Sequence, residues 1–378
     1  MAFWRLKMRF ECNQQLLTKA LNIVSKAVTS RTTIPILKGI LLEVSEDGKL
    51  KMSASDLDIT IEETVEIEAG VSGSIVVQSK LFGDIIRKLP NATVSIELID
   101  TNVVIKCMNS EFSIIGLSAD EFPSIKNIEE NPDYITFDKA ILKEMIRKTS
   151  FAASVDESKG VITGILIELL NDEINMVAID GYRMAITREA MVNLEEKNVI
   201  ISAKIMNEIS KILSEASEEE ENVKLLLNDK KAIFIIGNVK VVLRLLDGEF
   251  IKYKDVLPKD NKIKVKVSRS DLMESIERAS LLSKEGKNNL IKFAIKDTIV
   301  TITSKSEEGN VREEVLINKE GDDLDIGFNA KYVLDVLKSI DDEEIYMLFN
   351  TSITPCLVEP ISGDSFEYLI LPVRITNN

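Results

Sequence analysis

A chain that contains no histidine must move protons with carboxylates, lysines or thiols, and here these residues are scattered rather than grouped. Ser-His-Asp, Cys-His and HExxH arrangements are excluded outright. The three cysteines, Cys12, Cys107 and Cys356, are odd in number, far apart and free of CxxC spacing, so no zinc site or disulfide framework is expected and a reducing compartment is. No GxxxxGK[ST], GxGxxG or DxDxDG run organises the carboxylates and lysines around a phosphate or a calcium ion. The most suggestive polar cluster is Asp180-Gly181-Tyr182-Arg183, in which Asp180 could act as a base. No second acid or base accompanies it at a recognisable spacing, so a turn leading into a pocket-lining strand accounts for it better. No catalytic residue, cofactor or metal is expected.

The elements that carry these residues follow from length and repetition. A chain of 378 residues exceeds what one hydrophobic core usually fills, and 45% apolar with 29% charged residues is ordinary globular composition. Gly39-Ile40-Leu41-Leu42-Glu43 returns 125 residues later as Gly164-Ile165-Leu166-Ile167-Glu168, and Ala54-Ser55-Asp56 returns 124 residues later as Ala178-Ile179-Asp180. Leu290–Ile295 and Ile299–Ile302 form a weaker third copy without the Gly or the Asp. Three domains of about 126 residues follow.

Within each third, two helical patterns recur, beginning at Asn13, Ser79, Asp138, Ser202, Ser270 and Asn329, whose short polar side chains can cap a first turn. One apolar face is expected to hold Leu16, Ala20, Ile23 and Val24 in the first helix, Leu142, Met145 and Ile146 in the third, and Ile205, Ile209 and Ile212 in the fourth. Between helices, apolar and polar residues alternate, as at Ile59, Ile61, Val65 and Ile67, which predicts strands buried on one face. Glu46-Asp47-Gly48, Asp247-Gly248 and Glu320-Gly321-Asp322 are expected at hairpin turns. The fold class is α+β, with one helix and about four strands in each half-domain.

Lys and Arg total 47 against 62 Asp and Glu, a net charge of −15 that opposes unspecific adhesion to nucleic acid or an anionic membrane. The charge is partitioned, however. The six helical segments sum to +7, leaving −22 on the sheets and loops. Mildly basic helices on a strongly acidic chain suit the presentation of cations to a polyanion along one surface. The dense acidic run Glu215–Glu221 reads as a solvated loop. No apolar stretch approaches the ~20 residues of a membrane span and the first residues lack a signal-peptide core, so a soluble, cytoplasmic chain is expected.

Thr32-Thr33-Ile34-Pro35-Ile36-Leu37-Lys38-Gly39, Asp180-Gly181-Tyr182-Arg183-Met184-Ala185, Phe328-Asn329-Ala330-Lys331-Tyr332-Val333-Leu334-Asp335 and Tyr368-Leu369-Ile370-Leu371-Pro372-Val373-Arg374-Ile375 resemble, in that order, the bacterial DNA polymerase III beta subunit, the sliding clamp family. The resemblance runs from Met8 to the end. It divides the chain into clamp domains at 8–128, 129–257 and 258–378, with 1–7 as an extra N-terminal segment. It implies the DNA clamp fold, three repeated domains of two helices on antiparallel sheets, closed into a six-domain ring by a head-to-tail homodimer. Such a ring encircles double-stranded DNA without reading its sequence and gives processivity in DNA replication, with no active site of its own.

The resemblance also implies a cleft for short peptides of the polymerase catalytic subunit, the clamp loader and repair factors. Its matching positions are Ile162, Ile179, Gly181, Arg183 and Met184, then Ile251, Val256, Leu257 and Pro258, then Tyr332, Ile353, Pro355, Leu369, Leu371, Pro372, Val373 and Arg374. Ile179 and Pro355 stand where family members often carry small polar residues. Ring closure is expected from Phe112 and Ile114 meeting Leu281 and Leu282 of a second copy. Arg31 matches a basic residue near the duplex in the family. Lys19, Lys26, Lys80, Arg87, Lys139, Lys143, Arg147, Lys148, Lys204 and Lys211 are expected at DNA from their helical positions, as phosphate contacts. Two other classes stay open on these residues: a clamp-fold scaffold that binds peptides without serving replication, and an enzyme using Asp180.

Overall fold

Capping residues and apolar alternation cut the chain into six copies of a strand, a helix and three further strands, with one additional strand, in a computed structural model that describes residues 6–29, 31–123, 134–192, 195–216, 220–283 and 289–375. The first third runs β1 (Leu6–Asn13), α1 (Gln14–Val24), β2 (Gly39–Val44), β3 (Lys49–Ser55), β4 (Ile59–Glu66), the additional β5 (Glu68–Val71), β6 (Gly73–Gln78), α2 (Ser79–Lys88), β7 (Thr93–Ile99), β8 (Asn102–Cys107) and β9 (Ser110–Ile115). The second runs β10 (Ile135–Asp138), α3 (Lys139–Ser150), β11 (Gly164–Leu169), β12 (Glu173–Ile179), β13 (Arg183–Ala190), β14 (Lys197–Ser202), α4 (Ala203–Glu215), β15 (Asn222–Leu227), β16 (Lys231–Ile236) and β17 (Val239–Arg244). The third runs β18 (Ile263–Ser268), α5 (Arg269–Ser283), β19 (Leu290–Lys296), β20 (Ile299–Ser306), β21 (Gly309–Glu320), β22 (Leu324–Asn329), α6 (Ala330–Ser339), β23 (Glu344–Phe349), β24 (Cys356–Pro360) and β25 (Phe366–Ile370).

Each helix begins where its sequence supplies an acceptor or a change of backbone direction. Asn13 Oδ1 accepts from the N–H of Gln15 and Leu16, Asp138 Oδ1 from Ala140 and Ile141, and Asn329 Oδ1 from Lys331. α4 starts directly after Ser202. Two expected caps lie elsewhere. The helix at Ser79 is entered through Gln78 without a side-chain cap, and Ser79 is itself buried in the first turn. For α5 the cap is Ser268 rather than Ser270: its hydroxyl accepts from the N–H of Asp271.

The buried faces follow amphipathic spacing, with Leu142, Met145 and Ile146 of α3 and Ile205, Ile209 and Ile212 of α4 inside as expected. α1 is rotated relative to the sequence reading. Leu17, Ala20, Leu21, Ile23 and Val24 are buried, whereas Leu16 is 42% exposed.

Two of the expected hairpin turns are not hairpins. Gly48, at φ +80°, does turn β2 into β3, with which it pairs. Asp247-Gly248 instead follow β17 in the segment leading to the third domain. Glu320-Gly321-Asp322 join β21 to β22, which pairs with β19 and not with β21. Gly and acidic residues mark a reversal of the chain but not its pairing partner.

The chain divides into two compact units, Met1–Leu142 with Glu208–Leu245, and Lys143–Asn207 with Leu246–Asn378, so the middle third contributes to both. Met1–Arg5 of the extra segment, the 128/129 boundary and residues 217–219 of the acidic run lie outside the described residues.

The first unit holds a five-stranded sheet, β5-β1-β7-β8-β9, and an eight-stranded one, β10-β15-β16-β17-β4-β3-β2-β6. In the latter β17 runs antiparallel to β4, from Leu243 opposite Ile59 to Val239 opposite Glu63. The second unit holds a twelve-stranded sheet, β14-β11-β12-β13-β25-β24-β23-β18-β21-β20-β19-β22, in which β13 meets β25 from Arg183 opposite Ile370 to Thr187 opposite Phe366. The last strands of four of the half-domains join one half-domain to another. β4 and β17 join, as do β13 and β25. β9 pairs only with β8, and β21 pairs on one side only over Gly309–Leu316, among the described residues.

Candidate functional site

The β13–β25 junction gathers most of the expected cleft residues of the second unit. Ile179, Met184 and Leu369 are buried in one apolar cluster with Leu166, Val177, Leu348 and Leu357, and Ile162, Leu257 and Leu371 pack against it half-buried. Met184 and Leu369 are direct cross-strand partners, so the antiparallel register brings two distant parts of the chain onto one wall. Ile251, Val256 and Ile353 remain exposed, Ile353 at 75%. Pro258, Pro355, Pro372 and Val373 are half-buried and Arg374 is exposed. A core with half-buried apolar side chains on its surface and exposed ones beyond has the chemistry to receive an apolar side chain.

The turn before β13 shapes one end. Asp180 Oδ1 accepts from the N–H groups of Tyr182, at 2.8 Å, and Arg183, at 3.0 Å, while Gly181 adopts φ +94°, a conformation that side-chain-bearing residues rarely take. Asp180 Oδ2 accepts from Arg183 Nε at 3.0 Å. Both carboxylate oxygens therefore serve the turn.

Arg183 is buried and its guanidinium is fully engaged. Beyond Asp180, Nη1 donates to Asp335 Oδ2 of α6 at 2.6 Å and Nη2 to the Phe151 carbonyl at 2.7 Å, and the group lies over the rings of Tyr332 and Phe151 at 4.7 and 5.3 Å. Tyr332 stacks on exposed Tyr182 at 6.0 Å. Burial, followed by the Asp180 charge, raises the Tyr332 phenol pKa, so it is a neutral hydroxyl at physiological pH. Arg183 thus ties the turn before β13 to α6 and to the Phe151 carbonyl.

The C-terminal segment is fixed by backbone. Leu371 N–H donates to the Tyr182 carbonyl and Val373 N–H to that of Gly327. A Cβ at Gly327 would stand 2.8 Å from the Val373 carbonyl oxygen, so only glycine lets this segment lie so close to β22. Tyr253 anchors the preceding linker. Its hydroxyl donates to Glu168 Oε2 at 2.5 Å, and burial with that bond pushes its pKa up. Tyr253, Tyr182, Phe151 and Asp335 are not among the expected site residues, although Tyr182 and Asp335 stand within the motifs at 180–185 and 328–335.

The expected DNA-facing cations differ in how free they are. Lys80, Lys143, Lys204, Lys19 and Arg31 are exposed, and none is in an ion pair among the described residues. Lys26 is tied to Glu215 at 2.9 Å, Arg87 to Asp84 at 2.9 Å and Lys211 to Glu208 at 2.8 Å. Arg147 and Lys148 share Glu144, whose carboxyl is held at about 2 chiefly by the Arg147 hydrogen bond. Lys139 is half-buried.

The expected closure residues divide similarly. Phe112 on β9 is 41% exposed and Leu281 on α5 is 67% exposed, with Leu282 half-buried. Ile114, on the same face of β9 as Phe112, is buried, and Ile115 on the opposite face is exposed.

Models of the DNA polymerase III beta subunit match this chain in three segments: the N-terminal domain over residues 8–126, the central domain over 136–252 and the C-terminal domain over 254–374. The beta sliding clamp of Bacillus subtilis is 36% identical over 382 residues, covering 97% of this chain and 100% of the relative. A structure of the Bacillus subtilis DNA polymerase sliding clamp superposes with a TM-score of 0.93 at 35% identity, covering 98% of this chain and 100% of that one. A putative DNA polymerase III beta subunit from Eubacterium rectale gives 0.92 at 35% identity, covering 97% and 100%. With matches in all three thirds and along nearly its whole length, the chain belongs to the bacterial DNA polymerase III beta subunit family, the beta sliding clamps.

Proposed function

We propose that this chain is a processivity factor that encloses double-stranded DNA as a head-to-tail homodimer and tethers the replicative polymerase to it. One observation carries the assembly. Four of the half-domains' last strands pair with one another within the chain, β4 with β17 and β13 with β25, while among the described residues β9 and the Gly309–Leu316 part of β21 keep an open edge. Unpaired edges seek partners, and pairing β9 of one copy with β21 of the next satisfies both. Two such contacts close a two-fold ring, with Phe112, Leu281 and Leu282 at each seam and Ile115 alongside.

Domain boundaries near 8–128, 129–257 and 258–378 follow this reading. The free lysines of the helices, Lys19, Lys80, Lys143 and Lys204, together with Arg31, meet phosphates, and Lys26, Arg87, Lys139, Arg147, Lys148 and Lys211 add positive charge nearby. The cleft takes short peptides of the polymerase catalytic subunit, the clamp loader and repair factors, with Ile162, Ile179, Met184, Leu369 and Leu371 as apolar walls and Ile353, Val256, Ile251, Pro355 and Arg374 at the rim. The chain carries no active site of its own. Its compartment is the cytoplasm; Cys12, Cys107 and Cys356 are all buried free thiols, as a reducing setting favours.

Light scattering over a range of concentrations tests the assembly. Twice 42.3 kDa is the expected mass, and a strict monomer throughout contradicts it.

A further inference from the structure

A carboxyl group that no other side chain uses sits in the first unit. Glu63 occupies the inward register of β4, between buried Ile61 and Val65, and is itself more than nine-tenths buried. Its Oε2 has no hydrogen-bond partner. An orphan buried acceptor is costly, so its retention asks for an explanation. The group lines a cavity of about 290 Å³ whose apolar walls include Leu16, Ile23, Val65, Ile212 and Val239. Leu16 is the residue of α1 that turns away from the core, and this cavity is where it leads.

The charges around Glu63 come from every element that faces it. Lys19 of α1 and Lys26 just beyond that helix favour its ionised form, whereas Glu215 at the end of α4 and Glu220 oppose it. Lys26 is already paired with Glu215. The lining itself holds Glu63, Glu66 and Glu220 against Lys19, an excess of negative charge. Among the described residues no group of three or more acidic or thiol side chains is arranged to hold a metal ion, which needs several oxygen ligands at once.

We propose that the cavity is a binding site for a small organic cation, an alkyl- or arylalkylammonium ion, whose N–H donates to Glu63 and whose apolar body lies among Leu16, Ile23, Ile212 and Val239. The ammonium supplies the missing donor and balances the negative lining, and the hydrocarbon fills a space that water fills poorly. Burial raises the free Glu63 carboxyl to about 7, so binding the cation releases its proton and affinity rises with pH through that value.

Benzylammonium and its neutral counterpart benzyl alcohol are titrated calorimetrically into the full-length protein without DNA, at about pH 6 and about pH 8. The expected result is at least about tenfold tighter binding of benzylammonium at the higher pH, a preference that Glu63→Gln abolishes. Leu16→Trp, at an exposed position, narrows the cavity and weakens both probes. Equal affinity of the wild type and Glu63→Gln for benzylammonium overturns the proposal, as does no heat of binding up to ~10 mM or Leu16→Trp leaving both affinities unchanged.

Discussion

Arg183 of β13 and Asp335 of α6 are joined at 2.6 Å, and this ion pair links the turn that shapes the cleft to a helix 152 residues further along the chain. With Asp180 and the Phe151 carbonyl, it gives each of the three nitrogens of a buried guanidinium an acceptor. Arg183→Ala removes all of these bonds and leaves two carboxylates facing each other's charge. A loss of about 3 kcal/mol in unfolding free energy is expected, the scale of breaking a buried pair from one side. Arg183→Lys should recover only part of it, because one ammonium cannot bond in three directions. Thermal and denaturant unfolding measure both, and a loss within ~0.5 kcal/mol for Arg183→Ala contradicts the positioning role.

On the proposed assembly, Leu281→Asp places a charge where β21 and α5 meet β9 of a second copy. Leu281 is 67% exposed in the single chain, so the variant keeps its fold while its self-association falls. Sedimentation should show a shift toward 42.3 kDa with an unchanged circular dichroism spectrum. An unchanged dimer mass removes Leu281 from the seam.

Glu63 makes stability fall with rising pH. Its folded pKa, about 7, lies above the ordinary 4.5, so the stability owed to the neutral carboxyl is full below 4.5 and is lost as pH rises through about 7. Glu63→Gln keeps the shape without the ionisation. The two proteins should be alike at about pH 4 and differ by on the order of 3 kcal/mol in favour of the variant at about pH 8. A difference that does not change with pH contradicts the assignment.

Free and paired lysines should contribute unequally to DNA binding. Lys143→Ala and Lys204→Ala each remove an exposed cation, and each should lower the slope of log affinity against log salt by about 0.9. Lys26→Ala should change it less, since Glu215 already offsets that charge. Fluorescence anisotropy with a duplex of arbitrary sequence measures all three, and a larger effect from Lys26 reverses the ranking.

The repeat, the six helices and the strand count were legible because helical and strand periodicities differ and because Asn13, Asp138 and Asn329 announce helix starts. Ser268 and Ser270 are both able to cap, and only the backbone path of β18 selects the first. Asp247-Gly248 and Glu320-Gly321-Asp322 show the same gap between local and distant information: turn residues bend a chain without naming the strand it will pair with. At the cleft, Met184 and Leu369 were readable as apolar positions, but their cross-strand pairing depends on the β13–β25 register. Arg183 is a cleft position by resemblance, and the acceptors that engage its guanidinium, on the turn, on α6 and at the Phe151 carbonyl, are not legible from any local pattern. Glu63 was readable in principle: alternation from Ile59 through Ile61 to Val65 places position 63 on the inner face.

Retention on DNA of defined topology tests the clamp reading most directly. After loading onto a nicked circle, the protein should travel with the DNA through gel filtration and be lost when a single cut makes the circle linear. Retention that survives linearisation, or no retention on the circle, would contradict enclosure of the duplex.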